Sequence, residues 1–188
     1  FMFAPNYHPA MKHVAPVRKE LKLRTIFNLL GPLTNPASAQ NQIVGVYSKE
    51  LTYVFAEVLK KLGSQHVLAV HGADGMDEIS ITGKTYIAEL KNGNINEYQF
   101  DPTEYGFNLG KIEDIEVADI KGSKEMMLGI LNGDKNTARD ITILNSGAAL
   151  YVSGICSDFE SAFQVSRKMI DEGHALNKLN QLIKTSNE

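Results

Sequence analysis

Tryptophan is absent from these 188 residues, and cysteine occurs once, at Cys156. A single cysteine cannot close an internal disulfide. Its place in an apolar, helix-like run assigns it to packing in a reducing compartment rather than to catalysis. No apolar run approaches the ~20 residues needed to span a bilayer, and no charged amino-terminal segment leads into one, so a soluble, cytoplasmic protein is expected. A strong excess of one charge is missing too: 19 Lys and Arg stand against 22 Asp and Glu, and no basic block forms the footprint of a nucleic-acid binder. Neither nucleic acid nor membrane is expected as a partner, and local positive charge is left to serve a small anion.

What is present is ordinary for a globular chain: 43% hydrophobic and 22% charged residues, enough for one good-sized domain with a real core. The short apolar, β-branched runs 42–47 and 66–71 read as strands. Between them, Leu51, Val54, Phe55, Val58, Leu59 and Leu62 recur at helical spacing, with Gly63 as the stop. A strand–helix–strand unit favours a parallel pair with a right-handed crossover. Residues 84–90 and 94–100 alternate around Asn92-Gly93, a strong hairpin turn. Segment 101–122 has no clear period and reads as loop. Helices are expected from a cap at Ser123 to Leu131, over 137–155, over 158–172 with Ser157 or Asp158 as cap, and over 174–184.

Two regions carry residue types that a core does not need. The first runs from His8 to Pro36, with Arg18, Arg24, the punctuation Gly31-Pro32 and Asn35-Pro36, and a Pro16 that should kink or break any helix over 9–21. Glycine-proline and asparagine-proline pairs make turns and permit close approach of backbone to a packed element or to a ligand. The second is Asp74 to Glu78. It directly follows the strand ending near His71 and so belongs at the carboxyl edge of the sheet, where ligands bind in open α/β folds. The adjacent acids Asp77 and Glu78 can each offer a hard oxygen to magnesium, and Asp74 is a third acid nearby. An Asp- and Gly-rich turn is equally the composition of a solvated loop.

The arrangement as a whole resembles the anthranilate phosphoribosyltransferases. The resemblance rests on His8 to Ala10, Pro16 to Lys19, Arg24 to Pro36 and the Gly75-Met76-Asp77-Glu78-Ile79-Ser80 signature, and it runs on more weakly through Asn145 to Leu150. It implies an α/β fold with a predominantly parallel central sheet flanked by helices and an antiparallel hairpin excursion. This is the larger domain of a nucleoside phosphorylase/phosphoribosyltransferase-like enzyme, with residues 1–188 forming it and the amino-terminal helical domain absent. The implied reaction moves a phosphoribosyl group from 5-phosphoribosyl 1-diphosphate to the amine of anthranilate, releasing diphosphate.

By the same resemblance, Asp77 and Glu78 hold Mg2+, Arg18 grips the carboxylate of anthranilate, His8, Gly31 and Pro32 line the acceptor's path, and Met11 faces its outer part. No residue is required as a covalent nucleophile, because the amine of anthranilate attacks. The full-length enzyme is expected as a homodimer. The family's Gly-Thr-Gly-Gly-Asp and Lys-His-Gly-Asn segments do not occur here, and Lys22 stands where the family usually has glycine. This chain alone should therefore bind phosphoribosyl diphosphate poorly and be inactive. Two other readings stay open: a pyrimidine nucleoside phosphorylase-like enzyme, which the Arg18 segment and the acidic pair disfavour, and a non-catalytic nucleic-acid-binding relative.

Overall fold

The computed structural model describes residues 4–7, 9, 13, 14, 16, 20 and 27–187, which fall into two units, Phe1–Ala39 and Gln40–Glu188. In the first unit two helices are described, α1 (Ala4–Tyr7) and α2 (Phe27–Leu33). The bend expected over 9–21 lies mostly outside the described residues, as do His8, Met11 and Arg18.

Gly31-Pro32, expected as turn punctuation, instead forms the last turn of α2. Gly31 does not take the left-handed φ that would end a helix, so the chain continues, and the missing N–H of Pro32 does not stop it before Leu33. The stop comes at Thr34, whose hydroxyl donates to the Leu30 carbonyl at 2.9 Å and satisfies an acceptor that the helix end leaves open. Asn35-Pro36 does turn the chain: the Asn35 side-chain oxygen accepts the Ala37 N–H at 2.9 Å, and Ser38 takes a φ of 49°.

The second unit begins with β1 (Asn41–Gly45), α3 (Glu50–Lys61) and β2 (His66–Gly72), the expected strand–helix–strand unit with β1 and β2 parallel and Ile43 opposite Leu68. From Val67 to Val70, β2 is at most 1% exposed, which is why its sequence is a continuous apolar run rather than an alternation. Leu68 and Val70 join Ile143 and Leu144 in one cluster on one face. Strand alternation turns Val67 and Ala69 to the other, where α3 packs through its buried Phe55, Ala56 and Leu59. Burying side chains such as Leu68 or Ile143 contributes roughly 1.5–3 kcal/mol each.

β3 (Thr85–Lys91) and β4 (Asn94–Phe100) form the predicted hairpin, with Asn92 and Gly93 at φ 52° and 75°, both positive as a two-residue type I′ turn requires. The sheet order is β1-β2-β3-β4. Among the described residues the sheet is mixed rather than predominantly parallel: one of its three strand pairs is parallel and two are antiparallel. The cause is the link from β2 to β3, residues 73–84, which carries no crossover helix and so brings β3 back antiparallel to β2. The α/β class is as expected.

Segment 101–122 is not structureless. Two short 3-10 turns, Pro102–Tyr105 and Ile112–Asp114, interrupt it. The first is closed by the Asp101 side chain accepting from the Thr103 N–H, and it stacks Tyr105 on Phe100 with ring centres 5.0 Å apart. Helix α4 (Ile120–Leu131) starts earlier than its expected Ser123 cap. Asp119 caps it instead, accepting the Gly122 N–H at 2.7 Å; the glycine in that first turn concealed the helical pattern.

Helices α5 (Thr137–Val152), α6 (Phe159–Asp171) and α7 (His174–Ser186) complete the unit, with Asp158 as the α6 cap and Gly173 just past its end. Cys156 is buried as expected, though in the bend between α5 and α6 rather than inside a helix. Gly147 of α5 lies where any Cβ would meet the ring of Phe163, so the two helices approach closely at that point. No helix among the described residues is long and apolar enough to cross a membrane.

Candidate active site

The link between β2 and β3 leaves the carboxyl end of the parallel pair, and its path is set by three devices. Gly72 N–H donates to the Met76 carbonyl at 2.8 Å and Gly75, at φ 96°, donates to the Gly72 carbonyl at 2.9 Å, folding a tight turn. Asp74 then staples the turn to residues 80–82: its carboxylate accepts from the Ser80 and Thr82 hydroxyls and also from the Met76 N–H. Partial burial opposes ionisation of Asp74, but these hydrogen bonds outweigh it and hold the carboxyl below its usual range. Asp74 is thus committed to the loop and is not a third acid for a cation.

The third device fixes the backbone within the acidic pair and just after it. The Asp77 carbonyl packs against Gly45, the last residue of β1, in space that no side chain could share. Beyond the pair, Ile79 is fully buried and its backbone is held by Asn145 of α5, while the Ser80 N–H donates to Thr85 Oγ1 at 2.9 Å. Asp77 and Glu78 therefore stand exposed on a short stretch anchored at both ends. Among the described residues, neither carboxylate enters an ion pair or a side-chain hydrogen bond. Glu78 also borders an open cleft of about 320 Å³ walled by Met76, Ile115, Met126 and Ile141.

No three His, Cys, Asp or Glu side chains converge as a metal cage among the described residues. Two adjacent carboxylates, exposed and unpaired there, fit magnesium in particular, which keeps several waters and takes one or two protein carboxylates while substrate phosphates supply the rest. Asp77 and Glu78 are the residues that would hold it.

Of the other expected site residues, Gly31 and Pro32 lie in the first unit. Gly31 is exposed and a Cβ on it would meet nothing within 4 Å, so no close packing accounts for that glycine among the described residues. His8, Met11 and Arg18 fall outside the described residues.

The sequence did not single out three features. His71, half-buried near the end of β2, turns Nδ1 to the Val46 carbonyl at 2.8 Å, which requires the proton on that nitrogen. Asn145 stands in the sequence only as part of a weak motif, and its contact with Ile79 spans 66 positions.

The third feature lies toward the opposite end of the sheet. Glu89 is buried and accepts from Tyr151 at 2.7 Å and Tyr98 at 3.0 Å, with His66 Nε2 at 2.9 Å, while Lys91 donates to the Tyr151 hydroxyl at 2.9 Å. Burial, and then the Glu89 carboxylate, push both phenols well above the usual tyrosine range. The network ties β2, β3, β4 and α5 together.

Comparison with known proteins gives the chain's family. The family model described as "Glycosyl transferase family, a/b domain" matches residues 1–176. An anthranilate phosphoribosyltransferase of Methylobacillus flagellatus is 53% identical over 182 residues, covering 97% of this chain and 53% of the relative. One from Chromobacterium violaceum is 50% identical over 186 residues, covering 99% and 54%. This chain spans about half the length of the curated relatives it matches.

Among solved structures, anthranilate phosphoribosyltransferase from Thermus thermophilus superposes with a TM-score of 0.83 at 36% identity, over 93% of this chain and 51% of that one. The Saccharomyces cerevisiae enzyme in complex with PRPP and Mg superposes with a TM-score of 0.83 at 28% identity, over 94% and 51%. With residues 1–176 matched, the chain belongs to the glycosyl transferase family and is built on that family's a/b domain.

Proposed function

We propose that this chain is the larger domain of an anthranilate phosphoribosyltransferase, acting in tryptophan biosynthesis. The reaction breaks the bond from C1 of the ribose to diphosphate and forms a bond from C1 to the amine nitrogen of anthranilate, which loses a proton. The observation that carries the reading is the exposed Asp77-Glu78 pair, anchored at the carboxyl end of the sheet and free of protein cations among the described residues. It is supported by relatives of that name and by a structural neighbour in complex with PRPP and Mg.

Magnesium, when bound, neutralises charge on the departing diphosphate. Asp77 and Glu78 hold it. Arg18 clamps the anthranilate carboxylate bidentately and so places the amine for attack, and His8, Met11, Gly31 and Pro32 line the acceptor's path. The enzyme acts as a cytoplasmic homodimer.

The test is turnover of anthranilate with phosphoribosyl diphosphate by the native protein, followed through the loss of anthranilate fluorescence. Activity should need Mg2+, vanish with a chelator and be abolished by Asp77→Asn with Glu78→Gln. Arg18→Ala should raise the apparent KM for anthranilate far more than that for phosphoribosyl diphosphate. Phosphorolysis of pyrimidine nucleosides in place of this activity would overturn the reading.

A further inference from the structure

We propose that Asn145 is a positioning residue for the acidic pair, an inference that rests on the metal-binding reading above. Its Oδ1 accepts the Ile79 N–H at 3.0 Å and its Nδ2 donates to the Ile79 carbonyl at 2.9 Å. One side-chain amide thus closes on both backbone polar groups of the residue that follows Glu78. The same Nδ2 donates to the Ile141 carbonyl at 3.0 Å, one turn back on α5, which fixes the orientation of the amide.

Ile79 lies outside the described strands and is fully buried, so its backbone groups have no water to turn to. The Asn145 amide stands where a neighbouring strand would otherwise stand. Only an amide side chain supplies a donor and an acceptor in this spacing; an apolar side chain of similar volume would leave the Ile79 N–H and C=O buried without these partners.

Within the pair itself, the Asp77 carbonyl is seated against Gly45. Asp77 and Glu78 are therefore the exposed part of a segment fastened at two points, one by strand packing and one by a helix from the far end of the sequence. Two carboxylates that must meet one ion depend on the backbone between them staying in place. Partners that orient ligands without touching the metal typically contribute 10–100-fold, as an order of magnitude, to its affinity.

A purely structural Asn145 would lower stability and leave the metal affinity of folded molecules unchanged. The experiment titrates Mn2+ against the native protein and follows the free ion by electron paramagnetic resonance. It compares Asn145→Ala, Asn145→Asp and the Asp77→Asn/Glu78→Gln double variant at a temperature where circular dichroism shows each to be folded. Both Asn145 variants should bind Mn2+ about tenfold more weakly, and the double variant should lose the site.

Wild-type affinity in the folded Asn145 variants overturns the positioning role while leaving the metal site standing. Wild-type affinity in the double variant removes the metal reading and this proposal with it. If Asn145→Ala does not fold, Asn145→Asp decides by the same criterion, since it is isosteric, keeps the acceptor for the Ile79 N–H and loses both donated bonds.

Discussion

The carbonyl oxygen of Asp77 occupies the space into which a Cβ on Gly45 would project. Backbone meets backbone there, so no side-chain rotation can relieve the clash. Gly45→Ala should destabilise the protein by about 2 kcal/mol or more, because either β1 or the acidic loop must shift. Urea unfolding measures the loss, and Mn2+ affinity should fall in the same variant. Unchanged stability with unchanged Mn2+ affinity would mean that the loop does not depend on this contact.

Asp74 sets a pH dependence. Its carboxyl is held below the usual 3.8 in the folded state, so the stability it contributes is fully present above its unfolded value and is lost as pH falls through the folded one. The staple should therefore weaken below about pH 4. Asp74→Asn, which does not titrate, should be less stable than wild type near neutrality, and the gap should narrow toward about pH 2. A constant gap across acid denaturation curves would assign the loss to shape rather than charge.

Glu89 holds three partners at once, the buried His66 and Tyr151 and the partly buried Tyr98. Glu89→Ala should cost about 3 kcal/mol, because it leaves several buried polar groups unpaired, and Glu89→Gln should cost less. Because burial and the carboxylate both oppose phenolate formation, Tyr98 and Tyr151 should stay un-ionised in an alkaline ultraviolet titration until the protein unfolds. Seven tyrosines titrating together in the folded protein would contradict the network.

At Gly147 two effects oppose each other. Alanine gains up to about 1 kcal/mol of helix propensity over glycine. A Cβ there would meet the Phe163 ring and lie 3.3 Å from the Phe163 backbone nitrogen, and that ring is itself packed against Phe159 and Phe107. Overpacking of this kind costs typically about 1–3 kcal/mol, so Gly147→Ala should lower the melting temperature rather than raise it. A higher Tm would show that α6 can move aside.

Much of the architecture was legible because it is written in local periods. The parallel pair around α3 follows from two apolar runs and a 3.6-residue spacing, and the hairpin follows from Asn92-Gly93, whose residues tolerate the positive φ the turn demands. The direction of β3 relative to β2 was not legible, since residues 73–84 carry no period that says whether the chain crosses over or turns back. Gly31-Pro32 misled for a related reason: glycine and proline permit a turn, but the turn is made later, at Asn35-Pro36, where the Asn35 side chain accepts the Ala37 N–H.

By itself, the sequence determined which residues could carry the chemistry: two adjacent carboxylates after a buried strand, in a pattern that resembles one family. Only the tertiary structure decided which acids are available and what holds them. Asp74 is withdrawn by the Ser80 and Thr82 hydroxyls, and Asp77 and Glu78 are presented because Gly45 and Asn145 close on either side of them. The Gly45 and Asn145 contacts join residues far apart in the chain, and long-range hydrogen bonds and close backbone approaches leave no periodic mark in the residues that make them.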